Sequence, residues 1–223
     1  MKILITAGGT QEPIDSVRYI SNMSTGKTGA KLADTFIRQG ADVTLLKAEG
    51  AAACDNKNCE TYNFKTFDDL DKQLQKVLKQ SQYDVVIHAA AVSDYSVSHI
   101  MQGEKEIIQS ESGKIDSGDS LTIHLKKNFK MIDRLREYSR TPIFLVGFKL
   151  TSSEDQTLQH KAIAQMSQRN STDLIVHNDL LTIQKTGRHD FFIYQAGLQI
   201  AKCISVNELA QIIQARRNND LSF

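Results

Sequence analysis

The feature that most constrains the fold is a regular alternation of short apolar runs with longer segments of helical periodicity. The apolar runs are rich in Ile, Val, Leu or Phe and occupy residues 2–6, 42–46, 84–88, 143–148 and 173–177. Segments with apolar residues three and four apart lie at 26–39, 67–80, 129–138 and 153–169. Short, nearly continuous apolar strands are typical of a parallel sheet that is covered on both faces. The pattern therefore predicts a single α/β domain over residues 1–223, with a doubly wound, mostly parallel, Rossmann-like sheet.

Two stretches depart from this alternation. Residues from about 95 to 118 are polar and follow an apolar run directly, which is typical of a long irregular loop that acts as a functional flap. Residues from about 185 to 204 alternate in polarity and predict a small β-hairpin with its turn at 195–197. A last helix is predicted over 207–217.

Composition excludes several classes of protein. Lys and Arg number 27 against 26 Asp and Glu, so there is no strong basic charge to attract nucleic acid. The three cysteines have no C-x-x-C spacing, and the six histidines show no metal-ligand spacing, so no metal site is expected. The apolar run at the amino terminus stops too early for a signal peptide or a membrane span. We expect a cytoplasmic protein without a membrane or nucleic-acid partner.

A glycine pair ends the first predicted strand. Gly8, Gly9 and Thr10 follow it at the carboxyl end, where open α/β sheets bind ligands. Glycine lets backbone amides approach a phosphate closely, although a glycine pair in this position is also compatible with a tight turn alone. The G-x-G-x-x-G spacing of dinucleotide-binding proteins is absent, which argues against a nicotinamide enzyme.

A second candidate anion site lies where the first helix begins. Ser24, Thr25 and Gly26 are small residues at a helix amino terminus, where free amides and the helix dipole favour a phosphate. An alternative is that Ser24 only caps the helix. The triplet 26–28, Gly-Lys-Thr, matches the end of a P-loop motif, but the required first glycine is replaced by Ser21.

Four sequence blocks resemble one family. The segment 5–29, ITAGGTQEPIDSVRYISNMSTGKTG, resembles the amino-terminal signature of the phosphopantothenoylcysteine synthetases. The blocks AAAVSDY (89–95), LVGFKLTSS (145–153) and DLIVHNDL (173–180) resemble further motifs of that family in the same order. The chain starts at the strand with which the synthetase unit starts, so it is similar to a free-standing form without the flavin-dependent decarboxylase. Two alternative functions stay open: a P-loop-like NTPase or kinase, and a nucleotide-binding module without catalysis.

The resemblance implies a ligase of coenzyme A biosynthesis. Such an enzyme joins 4'-phosphopantothenate to cysteine through an acyl nucleotidylate, with release of pyrophosphate and a nucleoside monophosphate. It implies CTP or ATP as the nucleotide, Mg²⁺ bound with the triphosphate, no flavin, and a homodimer. The sequence departs from the family pattern at 127–129, Lys-Asn-Phe, and at 151–153, Thr-Ser-Ser, so the choice between CTP and ATP stays open.

The resemblance also implies roles for single residues. Asn22 is expected to handle the acyl nucleotidylate, and Lys114 is expected to draw charge off the triphosphate, with Lys105 as the alternative flap lysine. Asp94 is expected to bind the pantoyl portion of the substrate. The remaining candidates are residues expected to bind phosphate or nucleotide, namely Gly8, Gly9, Thr10, Ser24, Thr25, Gly26, Phe148 and Lys149, and two expected to let the substrate approach, namely Ala90 and Ala91.

Overall fold

The structure is a computed structural model that describes residues 1–107, 113–118, 120–169 and 172–219. Its strands are β1 (Lys2–Ala7), β2 (Gln11–Pro13), β3 (Tyr19–Ser21), β4 (Asp42–Ala48), β5 (Glu60–Phe64), β6 (Val85–His88), β7 (Tyr95–Gln102), β8 (Lys105–Ile107), β9 (Leu121–Lys127), β10 (Phe144–Thr151), β11 (Leu174–Asp179), β12 (Phe191–Gln195) and β13 (Leu198–Cys203). Its helices are α1 (Lys27–Arg38), α2 (Phe67–Gln80), α3 (Leu135–Tyr138), α4 (Gln156–Ser167), α5 (Leu180–Thr186) and α6 (Val206–Arg217), with a 3₁₀ turn at Met131–Asp133.

The centre of the molecule is an eight-stranded mixed sheet in the order β13-β12-β11-β10-β6-β1-β4-β5. The six strands from β11 to β5 are parallel, while β12 and β13 add an antiparallel edge. The mostly parallel sheet and the predicted carboxyl-terminal hairpin are confirmed. The hairpin turn uses Ala196 and Gly197, both with positive φ, as a two-residue turn between right-twisted strands requires.

Helices cover both faces of the sheet, which is why its central strands, such as β1 and β6, are almost completely buried. On one face, α1 and α6 bury Leu32, Phe36 and Ile213 against strand residues such as Ile5. On the other face, α2 and α3 bury a second cluster that includes Leu74. Each large side chain that is completely buried contributes about 1.5–3 kcal/mol, so these two layers supply most of the driving force for folding.

The prediction of an irregular loop at 95–118 is wrong for much of its length. Residues 95–107 form β7 and β8, which pair with β9 in a separate three-stranded antiparallel sheet. In β7, exposed polar residues are interspersed with buried or half-buried ones, and Ile100 is completely buried. Residues 108–112 of the predicted flap lie outside the described part of the chain.

Three further elements differ from the sequence-based expectation. The helix predicted over 129–138 is instead the 3₁₀ turn and the short α3, because only Met131 and Leu135 are buried there. The strand β5, the hairpin of β2 and β3, and the helix α5 were not predicted, since each is too short or too polar to show a period. Among the residues that the structure describes, no helix has the length and apolarity needed to cross a membrane.

The close packing of α1 on β1 gives a first testable prediction. A Cβ atom at Gly29 would lie 2.5 Å from the Cβ of Ala7. We expect Gly29→Ala to lower the free energy of unfolding by about 1–3 kcal/mol, because the overpacking outweighs a gain of about 1 kcal/mol in helix propensity. Urea denaturation measures this difference. The control is Gly113→Ala, where a Cβ would meet no atom within 4 Å, and a stabilised Gly29→Ala variant would contradict the packing argument.

Candidate functional site

The order of the strands reverses between β1 and β6. The chain runs from β1 outward to β4 and β5, then returns to β6 on the opposite side of β1 and continues to β10 and β11. Loops that leave two adjacent parallel strands in opposite directions open a crevice at their carboxyl ends, where α/β proteins bind ligands. A cleft of about 1040 Å³ lies there, and Ala89 and Gly26 are among the residues that line it.

The cleft brings together three of the predicted blocks, from distant parts of the sequence. Its wall includes seven of the predicted site residues, namely Ser24, Thr25, Gly26, Ala90, Ala91, Phe148 and Lys149. The first three precede helix α1, the two alanines follow β6, and the last two lie on β10. Such a volume is large enough for a ligand of the size of a nucleotide or an extended cofactor precursor.

The glycine pair is packed closely against neighbouring residues next to Gly26, which lines the cleft. Gly8 has φ +90°, and a Cβ atom there would lie 2.6 Å from the Cβ of Ala48. A Cβ atom at Gly9 would lie 2.5 Å from the carbonyl oxygen of Asn22. These contacts give both glycines a packing role beside the cleft, and the expectation that they bind a phosphate stays a prediction.

Two threonine hydroxyls hold the loop that follows β6. Thr6 Oγ1 accepts from the Ala90 amide at 3.1 Å, and Thr10 Oγ1 accepts from the Ser93 amide at 3.0 Å. Thr6 also pairs with Nδ1 of His88 at 3.0 Å, and burial lowers the pKa of that histidine to about 4, which keeps it neutral at physiological pH. Thr10 therefore positions the alanine loop, and its expected contact with a phosphate stays a prediction.

Helix α1 presents a free amino terminus to the cleft. It begins after Gly26, which has φ +71°, and no side chain caps it. The alternative that Ser24 is the N-cap is therefore wrong, because the chain turns at Gly26 in a left-handed conformation that favours glycine. The first amides of α1 have no partner within the helix, so they and the helix dipole suit an anion.

Several cationic side chains line the cleft. Lys27, Lys31 and Arg38 contribute from α1, and Lys149 contributes from β10. The carboxylates in the wall are Asp34 and Asp55, which leaves an excess of positive charge. A ligand with several negative charges fits this wall electrostatically. Lys31 and Arg38 were not predicted as site residues, although their spacing of seven residues places them on one face of a helix.

Asp34 holds the loop beside the cleft to helix α1. Its carboxylate accepts hydrogen bonds from the Cys54 thiol at 2.9 Å and from the amides of Asp55 at 3.2 Å and Asn56 at 2.9 Å. Burial would raise the pKa of Asp34, but these hydrogen bonds outweigh it and hold the pKa below its ordinary value. The ionised form of Asp34 therefore stabilises the folded chain.

The two predicted catalytic residues lie outside the residues that line the cleft. Asn22 is exposed directly after β3, and its side-chain amide donates to the Val92 carbonyl at 3.2 Å, close to the alanine loop. Lys114 is also exposed, and the next residue, Ile115, is held by Asp15. The structure thus places Asn22 beside the alanine loop that lines the cleft, whereas it does not bring Lys114 to the wall.

The predicted substrate residue Asp94 is also exposed and outside the cleft wall. It forms an ion pair with Lys130, which follows β9. The Asn128 amide donates to the Asp94 carbonyl at 2.8 Å, so the loops after β6 and β9 are joined here. The expected role of Asp94 in binding a substrate stays a prediction. Lys105, the alternative flap lysine, begins β8 in the three-stranded sheet.

Comparison with known proteins identifies relatives over nearly the whole chain. The model of the DNA/pantothenate metabolism flavoprotein C-terminal domain matches residues 1–214. The coenzyme A biosynthesis bifunctional protein CoaBC of Thermococcus kodakarensis is 32% identical over 201 residues, which are 90% of this chain and 46% of that protein. The Bacillus subtilis protein of the same name is 33% identical over 178 residues, 80% of this chain and 40% of that protein. The chain spans less than half the length of these relatives.

Solved structures share the same fold. The DNA/pantothenate metabolism flavoprotein from Streptococcus pneumoniae superimposes with a TM-score of 0.83 at 29% identity, covering 98% of this chain and 99% of that chain. A Cab2 variant in complex with phosphopantothenate-cysteine superimposes with a TM-score of 0.75 at 19% identity, covering 99% of this chain and 87% of that chain. At that identity the second likeness concerns the fold alone.

The role of Asp34 gives a second prediction. Asp34→Ala leaves three donors without their acceptor, so we expect the free energy of unfolding to fall by about 1–3 kcal/mol at neutral pH. The pKa of Asp34 is lower in the folded chain than its ordinary value of 3.8, so the stabilisation is present above about pH 4. It is lost as the pH falls further and the folded carboxylate takes up a proton.

Urea denaturation at neutral pH and near pH 3 measures this effect. The gap in stability between the wild type and Asp34→Ala should narrow on acidification. The matched control is Asp55→Ala, because Asp55 is exposed in the same loop and should change stability by less than about 0.5 kcal/mol. A gap that stays constant between the two pH values would show that the charge of Asp34 is not what holds the loop.

Proposed function

The chain belongs to the DNA/pantothenate metabolism flavoprotein C-terminal family, and we propose that it is a phosphopantothenate–cysteine ligase of coenzyme A biosynthesis. The observation that carries the proposal is the convergence of three matching sequence blocks, 24–26, 90–91 and 148–149, on one cationic cleft at the switch point of the sheet. Relatives named for coenzyme A biosynthesis at 32–33% identity support it.

The proposed reaction has two steps. The carboxylate oxygen of 4'-phosphopantothenate attacks the α-phosphorus of CTP or ATP, so that a new oxygen–phosphorus bond forms and the bond to pyrophosphate breaks. The amine of cysteine then attacks the acyl carbon and loses a proton, and the nucleoside monophosphate leaves with the electrons of the acyl–oxygen bond. Both steps build up negative charge on oxygen, so catalysis needs positioned donors and cations more than a protein nucleophile.

The residues of this chain suit those needs. The free amides at the start of α1, next to Ser24 and Thr25, would bind a phosphate of the substrate. Lys27, Lys31 and Lys149 would balance the remaining negative charge within the cleft. Asn22 would donate to the acyl oxygen without bringing a charge of its own. Ala90 and Ala91, which have no long side chains, would let the pantothenate chain lie against the end of β6.

Magnesium would come with the nucleotide. Among the described residues, no group of three or more His, Cys, Asp or Glu side chains is placed to hold a metal ion. Mg²⁺ would then be held mainly by phosphate oxygens and water, as is usual at nucleotide sites. Its chemistry there would be to neutralise the triphosphate. The ligation needs no flavin.

A P-loop NTPase is the second candidate, and the geometry of the chain disfavours it. A P-loop connects its strand directly to its helix. Here the hairpin of β2 and β3 lies between the end of β1 at Ala7 and the start of α1 at Lys27.

A homodimer is proposed from the family resemblance. The exposed side chains of Tyr95 and Leu125 lie on the three-stranded sheet and support that sheet as the surface shared by the two copies.

The direct test of the proposed function is pyrophosphate release. Purified protein with Mg²⁺, 4'-phosphopantothenate and either CTP or ATP should release pyrophosphate only when phosphopantothenate is present. The amide product should appear only when cysteine is added as well. Release of orthophosphate instead would favour the NTPase, and absence of both products with either nucleotide would contradict the ligase.

The flap lysine gives a further prediction. If Lys114 stabilises the charge of the triphosphate in the transition state, Lys114→Ala should lower kcat by about 100- to 1,000-fold, with an unchanged thermal midpoint. Lys105→Ala is the matched control and should keep kcat within about threefold, because Lys105 belongs to the β8 strand of the small sheet. The opposite pattern would assign the role to Lys105.

A further inference from the structure

The carboxylate of Asp15 is almost saturated with hydrogen bonds. Its side chain is fully buried in the turn between β2 and β3. One oxygen accepts from the amides of Val17 at 2.9 Å and Arg18 at 2.8 Å, and the other accepts from the Arg18 guanidinium through Nε at 2.9 Å and through Nη2. These bonds, above all those from the Arg18 side chain, hold the pKa of Asp15 well below its usual range.

The same ion pair binds both backbone groups of Ile115. The Ile115 amide donates to Asp15 Oδ2 at 3.1 Å, and the Ile115 carbonyl accepts from Arg18 Nη2 at 2.9 Å. Neither bond depends on the identity of the side chain at position 115. The ion pair therefore acts as a clamp on the backbone, one residue after Lys114.

Three further contacts keep this segment in place. The Ile115 side chain is packed into the protein and is 5% exposed. The Gly113 carbonyl accepts a hydrogen bond from the Ser16 amide at 3.4 Å. The Asp116 carbonyl accepts one from Gln102 Nε2 at 3.0 Å. Two of these contacts are weak or exposed. Among the described contacts, the ion pair, whose carboxylate is fully buried, is therefore the strongest tether of residues 113–116.

The hairpin that carries the clamp also carries Asn22. Strand β3 pairs with β2 and ends at Ser21, and Asn22 follows directly. The Asn22 carbonyl lies so close to Gly9 that no other side chain would fit there, which fixes the hairpin on the end of β1. The clamp thus attaches the lysine segment to the same rigid element that holds Asn22.

We propose that Asp15, together with Arg18, is a positioning residue that fixes the backbone next to Lys114 relative to Asn22. The inference rests on the proposed function for its catalytic part, because Lys114 and Asn22 have their roles there. The physical reason is that a displacement of about 1 Å in a charge-stabilising group is enough to lower the rate of a reaction by up to about 100-fold.

The main test variant is Asp15→Asn. An amide keeps the volume but is neutral and turns one of the two acceptor oxygens into a donor. It therefore cannot accept from the Val17 and Arg18 amides on one side and from the guanidinium and the Ile115 amide on the other.

The matched control is Asp84→Asn. Asp84 also pairs with an arginine, Arg217, and accepts a backbone amide, that of Lys2, but it directly precedes β6 and so lies at the amino ends of the parallel strands, opposite the cleft.

The first measurement is hydrogen exchange, which does not depend on activity. Asp15→Asn should accelerate exchange of the Ile115 amide by about tenfold, since its hydrogen bond to a charged acceptor is lost or becomes a weaker bond to a neutral one. Exchange in β1 and α1 should stay as in the wild type. Asp84→Asn should leave the Ile115 amide unchanged. Unaltered exchange at Ile115 in Asp15→Asn would overturn the clamp itself.

The second measurement is a double-mutant cycle on kcat. Asp15→Asn should lower kcat for pyrophosphate release about 10- to 100-fold while KM for phosphopantothenate changes less than about threefold. In a Lys114→Ala background, the same change should have no further effect on kcat, because the group that the clamp positions is gone.

The possible failures are distinguishable. If the effects of Asp15→Asn and Lys114→Ala multiply, Asp15 acts on stability or on another group, and the positioning role is overturned while the ligase stands. A wild-type protein that releases no pyrophosphate overturns the proposed function, and the catalytic part of this inference with it. Hydrogen exchange then still decides whether the clamp exists.

Discussion

The site depends on how closely backbone segments approach one another at the carboxyl ends of β1 and β6. Gly8, Gly9 and Gly29 all lie where a Cβ atom would meet a neighbour at 2.6 Å or less. The loop after β6 is joined to this junction by the hydroxyls of Thr6 and Thr10. Since packed protein interiors hardly compress, this junction fixes the start of α1 and the alanine loop, which both line the cleft, before any ligand arrives.

Rigidity at that point has a direct consequence for chemistry. A reaction that builds negative charge at phosphorus and at an acyl oxygen is accelerated by donors that are already in position. The free amides of α1 and the cations of α1 and β10 belong to regular elements, whose positions are set by the core. Lys114 has no such support, so its position depends on the ion pair of Asp15 with Arg18.

The parallel core of the sheet was predictable because its central strands are buried on both faces and are therefore nearly continuous apolar runs. The small β7–β8–β9 sheet was not, since its residues look polar and its pairing is set by contacts far apart in the sequence. At the site, the sequence identified Ser24, Ala90 and Phe148 as lining residues. It missed Asp34 and Asp15, whose role is to accept amides from loops that only the fold brings near.

The central claim is that the carboxylate of phosphopantothenate becomes bonded to the α-phosphorus of the nucleotide. Phosphopantothenate labelled with ¹⁸O in that carboxylate tests it most directly, in a complete reaction with cysteine and either CTP or ATP. The account predicts one ¹⁸O atom in the nucleoside monophosphate and none in pyrophosphate. Label recovered in orthophosphate would mean an acyl phosphate and transfer of the γ-phosphoryl group, and would contradict the account.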